Sequence, residues 1–390
     1  MAIEASKQQT AHRKLRLGMV GGGEGAFIGA VHRIALRIDD QFELVAGAFS
    51  SDAARAKSSA SSLGVSAERA YGSFEEMAKA EAARADGIDA VVIVTPNHMH
   101  GPAAKAFLNA GIHVICDKPL TTTVQEAEEL VDLVRDSGKL FILTHNYTGY
   151  PMIRQARAMV ASGDLGDIRL VQVEYPQDWL TESVEQSGQK QAAWRTDPKR
   201  SGAGGCIGDI GTHAYNLAAF VSGLKLEALL AQLTSFVPGR ALDDDCQIML
   251  RYQGGARGSL WASQVAVGHE NGLKLRVYGT KGGIEWVQAD PNYLWFTPFG
   301  EPKRLITRGG AGALPEAARV TRVPGGHPEG YLEGFANIYA EAARALRSAI
   351  DHTPLDPAVV YPTVEDGLDG MKFIAAAVQS SNNGNIWVQM

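Results

Sequence analysis

The run Leu15-Arg16-Leu17-Gly18-Met19-Val20, followed by Gly21-Gly22-Gly23-Glu24-Gly25-Ala26-Phe27-Ile28-Gly29, decides the fold. The first six residues are a short apolar run closed by glycines, which predicts a buried parallel strand. From 28 to 38 the apolar residues recur at helical spacing. A glycine turn between a first strand and a first helix suits a dinucleotide. One glycine permits the tight turn, a second lets the backbone approach the pyrophosphate, and the helix N-terminus stabilises the negative charge. Gly21 and Gly23 fit the first two places, while Gly25, Ala26 and Gly29 compete for the third. A lone glycine cluster also reads as a flexible loop. The strand before it, the helix after it and its place near the chain start favour the dinucleotide.

Strand and helix keep alternating to about residue 145. Segments 43–49, 89–94, 112–116 and 139–143 read as strands. The helix over 124–137 is punctuated by Thr123 and Glu126, a capping box, and stops at Gly138. This alternation predicts a doubly wound parallel sheet, the Rossmann arrangement. After about residue 150 the pattern changes. A helix over 152–162, a strand over 168–175, a polar surface loop over 181–199 and a helix over 206–221 are expected. Strands then follow at short spacing over 228–236, 246–252, 257–264, 273–279 and 283–287, with Gly254-Gly255 and Lys281-Gly282-Gly283 as turns. Long helices are expected over 329–350 and 363–380. The expected class is α/β: a disordered leader at 1–13, a dinucleotide-binding domain at 14–147, and a domain at 148–390 with an open, mostly antiparallel sheet for substrate and oligomer contacts. The last helix is a candidate to pack back on the first domain.

At 390 residues the chain is too long for one ordinary core. Its net charge of -6 and scattered basic residues argue against a nucleic-acid partner. No apolar stretch approaches a membrane span, and the first residues lack the apolar segment of a signal peptide. Cys116, Cys206 and Cys246 are an odd set without paired spacing, which fits a reducing cytoplasm.

Two short motifs carry reactive groups: Cys116-Asp117-Lys118-Pro119 and Asp209-Ile210-Gly211-Thr212-His213. Lys118 lies just past a strand end, where open α/β sheets place their ligands. Asp209 and His213 are four apart in a helical stretch, on one face, after the glycine-rich Ser201-Gly202-Ala203-Gly204-Gly205. A lysine, a carboxylate and an imidazole together suit proton removal from an alcohol while a hydride leaves. Taken singly, each also reads as a solvated lysine, a capping aspartate and a buried, hydrogen-bonded histidine. His98 and His100 form an H-x-H, but no third ligand is placed with them, so no metal is expected. Tyr147, Trp179 and Trp194 suit a pocket wall or a core. The second strand ends in Phe49-Ser50-Ser51-Asp52, without the usual ribose-binding acid. Asp52 reads equally as a helix cap, Ser50 suits a ribose hydroxyl or a 2′-phosphate, and Arg55 is the nearest arginine. NAD is favoured and NADP stays open.

With these pieces in place the chain resembles the glucose–fructose oxidoreductase / inositol dehydrogenase / MocA family. The matching text is the glycine turn with Gly29 and His32, TPNHMH at 95–100, AGIHVICDKPL at 110–120, WRTDPKRSGAGGCIGDIGTH at 194–213, HPEGYLEGFANIY at 327–339 and YPTVEDGLDGM at 361–371. GAFIGAVHR at 25–33 and AFSSD at 48–52 look most like the branch with scyllo-inositol and L-glucose dehydrogenases. The resemblance implies oxidation or reduction of sugars, inositols and related polyols, and an open sheet that makes oligomer contacts. It assigns Lys118 to the E-K-P lysine, Asp209 and His213 to the D-x-G-x-H pair, and Asn97 to a cofactor-side asparagine. Asp117 departs from the usual glutamate, and the glycine turn holds about three extra residues.

The expected catalytic set is Lys118, Asp209 and His213. Gly21, Gly23, Gly25, Phe27, Ile28 and Ser50 are expected to bind the cofactor, with Thr95, Asn97, His100, Asp117, Lys118 and Arg195. Lys118, Tyr147, Trp179, Arg195, Asp209, His213 and His327 are expected around the substrate. His213, titrating near neutral pH, or Lys118 removes the proton, and Asp209 orients the histidine or holds a neighbouring hydroxyl. A neutral cyclic polyol is expected, because an anionic substrate asks for convergent cations, and only Lys118, Arg195 and Arg154 are candidates. A homo-oligomer, dimer or tetramer, is expected. Two other readings remain: an epimerase-like or glycosidase-like enzyme that retains its nicotinamide, and a non-catalytic sugar sensor.

Overall fold

The computed structural model describes residues 13–390, so the leader expected at 1–13 lies, but for Arg13, outside the described residues. The chain starts with β1 (Leu15–Gly21), α1 (Phe27–Ile38), β2 (Phe42–Ala48), α2 (Ala53–Ser62) and α3 (Phe74–Ala82). Next come β3 (Ala90–Val94), α4 (His100–Asn109), β4 (His113–Cys116), α5 (Val124–Ser137) and β5 (Phe141–Leu143). Their strands form a parallel sheet in the order β2-β1-β3-β4-β5. Every residue of β3 and β4 is buried, as a sheet covered on both faces requires. β1 sits between β2 and β3, so the topological switch point opens a crevice beyond its carboxyl end. Thr123 caps α5 by accepting from the Glu126 N–H at 3.2 Å, and Gly138 ends it at φ 62°.

The second half holds α6 (Pro151–Ala161), β6 (Ile168–Pro176), α7 (Lys190–Arg195), α8 (Pro198–Ser201) and α9 (Thr212–Ser222). The strands β7 (Leu226–Thr234), β8 (Asp245–Tyr252), β9 (Arg257–Ser263), β10 (Lys274–Gly279), β11 (Gly282–Val287), β12 (Tyr293–Pro298) and β13 (Arg304–Thr307) follow. α10 (Pro315–Ala318), α11 (Tyr331–Ile350), α12 (Val364–Asn382) and β14 (Val388–Gln389) complete the chain. One nine-stranded sheet runs β13-β12-β11-β10-β6-β9-β8-β7-β14. Only the β6–β9 pair is parallel. Strands β12, β13 and β14 go beyond the sequence expectation, and the polar stretch 181–199 contains α7 rather than loop alone.

Strands such as β8 and β10 alternate buried with more exposed residues. Val171 and Val173 are buried on the face of β6 that α9 packs on, whereas Leu170 and Met249 are exposed on the other face. Among the described residues no helix is long and apolar enough to cross a membrane.

The last two long helices return to the first sheet. α11 packs along α1, burying Phe335, Ile338, Tyr339 and Leu346 in one cluster with Leu36 and Phe42. At about 1.5–3 kcal/mol for each large apolar side chain, this contact binds the two halves firmly. α12 lies between α5 and β7. Arg322, before α11, donates from Nε to Oδ1 of Asp39 at 2.8 Å, at the end of α1. The cleft between the sheets is therefore closed at its back by the chain's own C-terminal helices.

Candidate active site

The glycine turn sits at the switch point. Gly21 and Gly22 both have positive φ, 78° and 69°, which favours glycine. A Cβ on Gly29 would lie 2.4 Å from the Cα of Gly22, so Gly29 takes the third place by letting α1 approach the turn. Ala26 supplies no side-chain cap to α1, and the first turn holds no acidic residue. The first N–H groups of α1 are thus left for an anion, with Thr95 Oγ1 buried and unpartnered on the same cleft lining. These features fit the pyrophosphate of a dinucleotide.

The cleft encloses about 1170 Å³ and runs from this turn to the second sheet. Its lining includes Gly21, Gly23, Gly25, Phe27, Ile28, Ser50, Thr95, Asn97, Asp117, Lys118 and Arg195. Tyr147, Trp179, Trp194, Asp209 and His213 line it as well. Asp52 is outside it and caps α2, accepting from the Arg55 N–H at 2.8 Å. His100 is also outside it. Its ring nitrogens lie 2.7 Å from the Pro119 carbonyl and 2.9 Å from that of Thr95, which clamps the two strand-end turns together. Asn97 donates from Nδ2 to the Ser201 carbonyl at 3.0 Å, fastening α8 to the turn after β3.

The two reactive motifs meet across the cleft. Lys118 donates from Nζ to Oδ1 of Asp209 at 3.2 Å and to its carbonyl. Oδ2 of Asp209 accepts from Nε of Arg195 at 3.1 Å and from Nε2 of Gln264 at 2.9 Å. Burial opposes the charge on Asp209, but the Arg195 guanidinium and the Lys118 ammonium outweigh it. The carboxyl stays well below the usual carboxylate range. Both oxygens accept from these three side chains, and no hydrogen bond joins Asp209 to His213 among the described residues. Asp209 lies in a π-turn, Ile207–Gly211, an irregularity found often at functional sites.

His213, on α9, is held edge-on by Tyr147, with centroids 5.0 Å apart, and by His145, at 5.5 Å. Its Nδ1 has no hydrogen-bond partner. Burial, then the charge of Lys118, pushes its pKa well below the ordinary imidazole value. Against the expectation of titration near neutral pH, burial and Lys118 favour the neutral ring. Asp117 sits behind Lys118. It accepts from Thr144 Oγ1 at 2.6 Å and lies 3.5 Å from His32 Nε2. Burial opposes its charge, but His32 and Thr144 hold it at about 2.

Beyond Lys118 the wall is mostly polar, with Arg195 and an exposed carboxylate, Glu270, as its charged groups. Tyr147 and Tyr175 share a hydroxyl contact of 2.5 Å. Gln177 donates to Asn271 at 2.8 Å and accepts from the Trp179 indole at 3.0 Å, and Asn271 donates to Gln288 at 3.0 Å. Arg195 is stacked over Trp194, 4.2 Å from the ring centroid. Sequence reasoning missed Asn146, whose Nδ2 is buried without a partner on the lining, and also Tyr175, Gln177, Gln264 and Glu270. The only signal for Asn146 was its place just past a strand end.

Two further residues are not brought to the cleft. His327 is exposed in the stretch before α11, where its carbonyl accepts from Arg308. Arg154 is buried in α6, donating to the Thr148 and Val360 carbonyls at 2.6 and 2.8 Å, and burial lowers it to about 10. No group of three or more His, Cys, Asp or Glu able to hold a metal is assembled among the described residues.

Comparison with known proteins agrees with this architecture. Residues 15–156 match the model of the oxidoreductase family with an NAD-binding Rossmann fold, and residues 153–285 match the GFO/IDH/MocA C-terminal domain. The Bacillus subtilis oxidoreductase YfiI is 37% identical over 97% of both chains. An oxidoreductase structure from Sinorhizobium meliloti is 58% identical, with a TM-score of 0.88 over 97% of this chain and 100% of that one. An inositol dehydrogenase homolog from Azotobacter vinelandii, complexed with NADH and myo-inositol, is 36% identical, with a TM-score of 0.91 over 97% of this chain and 98% of that one.

Proposed function

This chain belongs to the GFO/IDH/MocA family of oxidoreductases with an NAD-binding Rossmann fold, and we propose that it oxidises a secondary alcohol of a neutral cyclic polyol or pyranose to the ketone. The observation that carries the substrate class is Asp209. One carboxylate already engages both Lys118 and Arg195, so the two cations are drawn to Asp209 and less available to a substrate carboxylate or phosphate. Of the other cations on the lining, Arg55 lies on α2 beside the end of β2, Arg200 lies on α8, which packs on the 97–99 turn, and Lys190 is exposed. The remaining groups, Tyr147, Tyr175, Gln177 and Asn146, suit hydroxyls. The myo-inositol complexed with the Azotobacter homolog is such a neutral polyol.

Gly21, Gly23 and the first turn of α1 would hold the pyrophosphate, with Thr95 and Asn97 beside the nicotinamide half. The nicotinamide, when bound, supplies the hydride acceptor. Lys118 donates a hydrogen bond to the reacting oxygen and stabilises its developing negative charge. His213, neutral at rest, accepts the hydroxyl proton. Burial and Lys118 make the imidazolium unfavourable, so the proton is readily released after the ketone departs. Asp209 fixes the Lys118 ammonium and keeps the pocket near neutrality. Asp117, pinned by Thr144 and His32, sets the turn that carries Lys118. The homo-oligomer remains part of this reading, supported by the uncovered sheet face with Leu170 and Met249. The three buried free thiols fit a reducing compartment, the cytoplasm.

A panel of inositols, pyranoses, sugar acids and sugar phosphates, followed by NADH formation, tests the substrate class. A neutral polyol is the expected best substrate. Selectivity of about a hundredfold for an acid or phosphate over every neutral polyol would overturn it.

A further inference from the structure

The end of β2 itself offers no carboxylate to the cleft. In dinucleotide folds an acid there binds the adenosine ribose hydroxyls, and its charge disfavours a 2′-phosphate. Here the strand end gives Ser50 and Ser51 and α2 gives Arg55, while Asp52 is turned to capping α2; the first turn of α3 adds Glu75 to the same lining, with its side chain exposed. Two serines and an arginine alone would suit a 2′-phosphate.

The glycine turn supplies the missing charge. Its added length brings Glu24 onto the same lining. Two serines of α2 fasten it. Ser58 Oγ donates to Glu24 Oε1 at 2.8 Å, and the Glu24 N–H donates to Ser59 Oγ at 3.0 Å. The residue before it is pressed on the same wall, since a Cβ on Gly23 would lie 2.7 Å from Ser59 Oγ and 2.9 Å from the Phe49 carbonyl. Gly25, at φ 77° and in open space, turns the chain away immediately afterwards. Glu24 is thus presented from the turn beside the end of β2, against the helix α2 that also carries Arg55.

We infer that Glu24 replaces the absent acid of β2. It accepts hydrogen bonds from the adenosine ribose hydroxyls and repels the 2′-phosphate that Arg55 would otherwise hold. This rests on the dinucleotide reading of the cleft and adds the residue that sets its choice of NAD over NADP.

The test is binding, not turnover. Dissociation constants for NAD and NADP are measured by tryptophan fluorescence on the ligand-free protein, with melting temperatures as a fold control. Wild type is expected to favour NAD. Glu24→Gln keeps the Ser58 contact but removes the charge. It should tighten NADP binding about tenfold or more while changing NAD binding far less. Adding Arg55→Ala to Glu24→Gln should abolish the gain. If wild type favours NAD but the Glu24→Gln ratio moves less than about twofold, Glu24 has no such role and the dinucleotide reading stands. If wild type favours NADP, the inference and the NAD preference both fall. If neither nucleotide binds, the cleft reading itself fails.

Discussion

The ammonium of Lys118 lies 3.2 Å from Oδ1 of Asp209, a contact across 91 residues that joins the end of β4 to the π-turn before α9. The same carboxylate holds Arg195. The site is therefore assembled only when both halves of the chain are folded together, and its two cations share one counter-charge.

Asp209→Asn keeps the shape and removes that charge. Lys118 and Arg195 then face the cleft without a carboxylate. Oxidation of the neutral substrate should fall by about a hundredfold, and carboxylate inhibitors such as sugar acids should bind more tightly. Inhibition constants for a sugar acid in the two proteins check this. Unchanged inhibition would show that the cations are not released.

Gly29→Ala tests the nucleotide cradle. The new Cβ meets backbone, 2.4 Å from the Gly22 Cα, so α1 or the turn must move. A loss of about 1–3 kcal/mol in stability is expected, with NAD binding weakened more than substrate binding. Thermal melting and NAD titration measure both. Wild-type NAD affinity in this variant would contradict the assignment of Gly29 to the third place.

Acid should destabilise the protein early. Burial lowers His100 and His213, and lowers His113 to about 4 and His145 to about 3. Below about pH 6.5 the unfolded chain takes up protons at these rings and the folded chain does not. Stability therefore falls as pH drops from there, by about 1.4 kcal/mol per pH unit for each proton of difference. Asp243 acts oppositely, since burial raises it to about 6 and the folded chain keeps its proton there. It offsets one of the four. Melting temperatures from about pH 7 to about pH 5 should show the net decline. The pH profile of kcat/KM should also lack an acidic limb near about pH 6.5, because His213 is already neutral.

Leu170 and Met249 are about half exposed, at 47% and 57%, on the sheet face that carries no helix. Leu170→Glu with Met249→Glu should shift the molar mass measured by light scattering from that of an oligomer to that of a monomer, without loss of fold. An unchanged mass would move the contact surface elsewhere.

Much of this was legible in the sequence, for identifiable reasons. The run Leu15–Gly21 and its glycines announce a buried strand and a nucleotide turn, because both demand particular residue types. Thr123 and Gly138 marked α5 for the same reason. The third glycine was not legible, since only the contact between Gly29 and Gly22 in space distinguishes it from Gly25. α7 was hidden in a polar stretch because its cap is the side chain of Gln189, a weak signal. Lys118, Asp209 and His213 stood out as motifs, but the state of His213 depends on burial and on Lys118, which no spacing reveals. Asn146, Gln177 and Gln264 belong to no motif, and His327 belongs to matching text yet lies outside the cleft.

The most direct measurement is single-turnover NADH formation by wild type, Lys118→Met and His213→Ala on the best polyol substrate. NAD affinity and melting temperature are determined on the same preparations. The expected result is a loss of about a hundredfold to a thousandfold in the hydride-transfer rate of each variant, with NAD still bound and the fold intact. Rates within about threefold of wild type in both variants would contradict the placement of the reacting hydroxyl between Lys118 and His213.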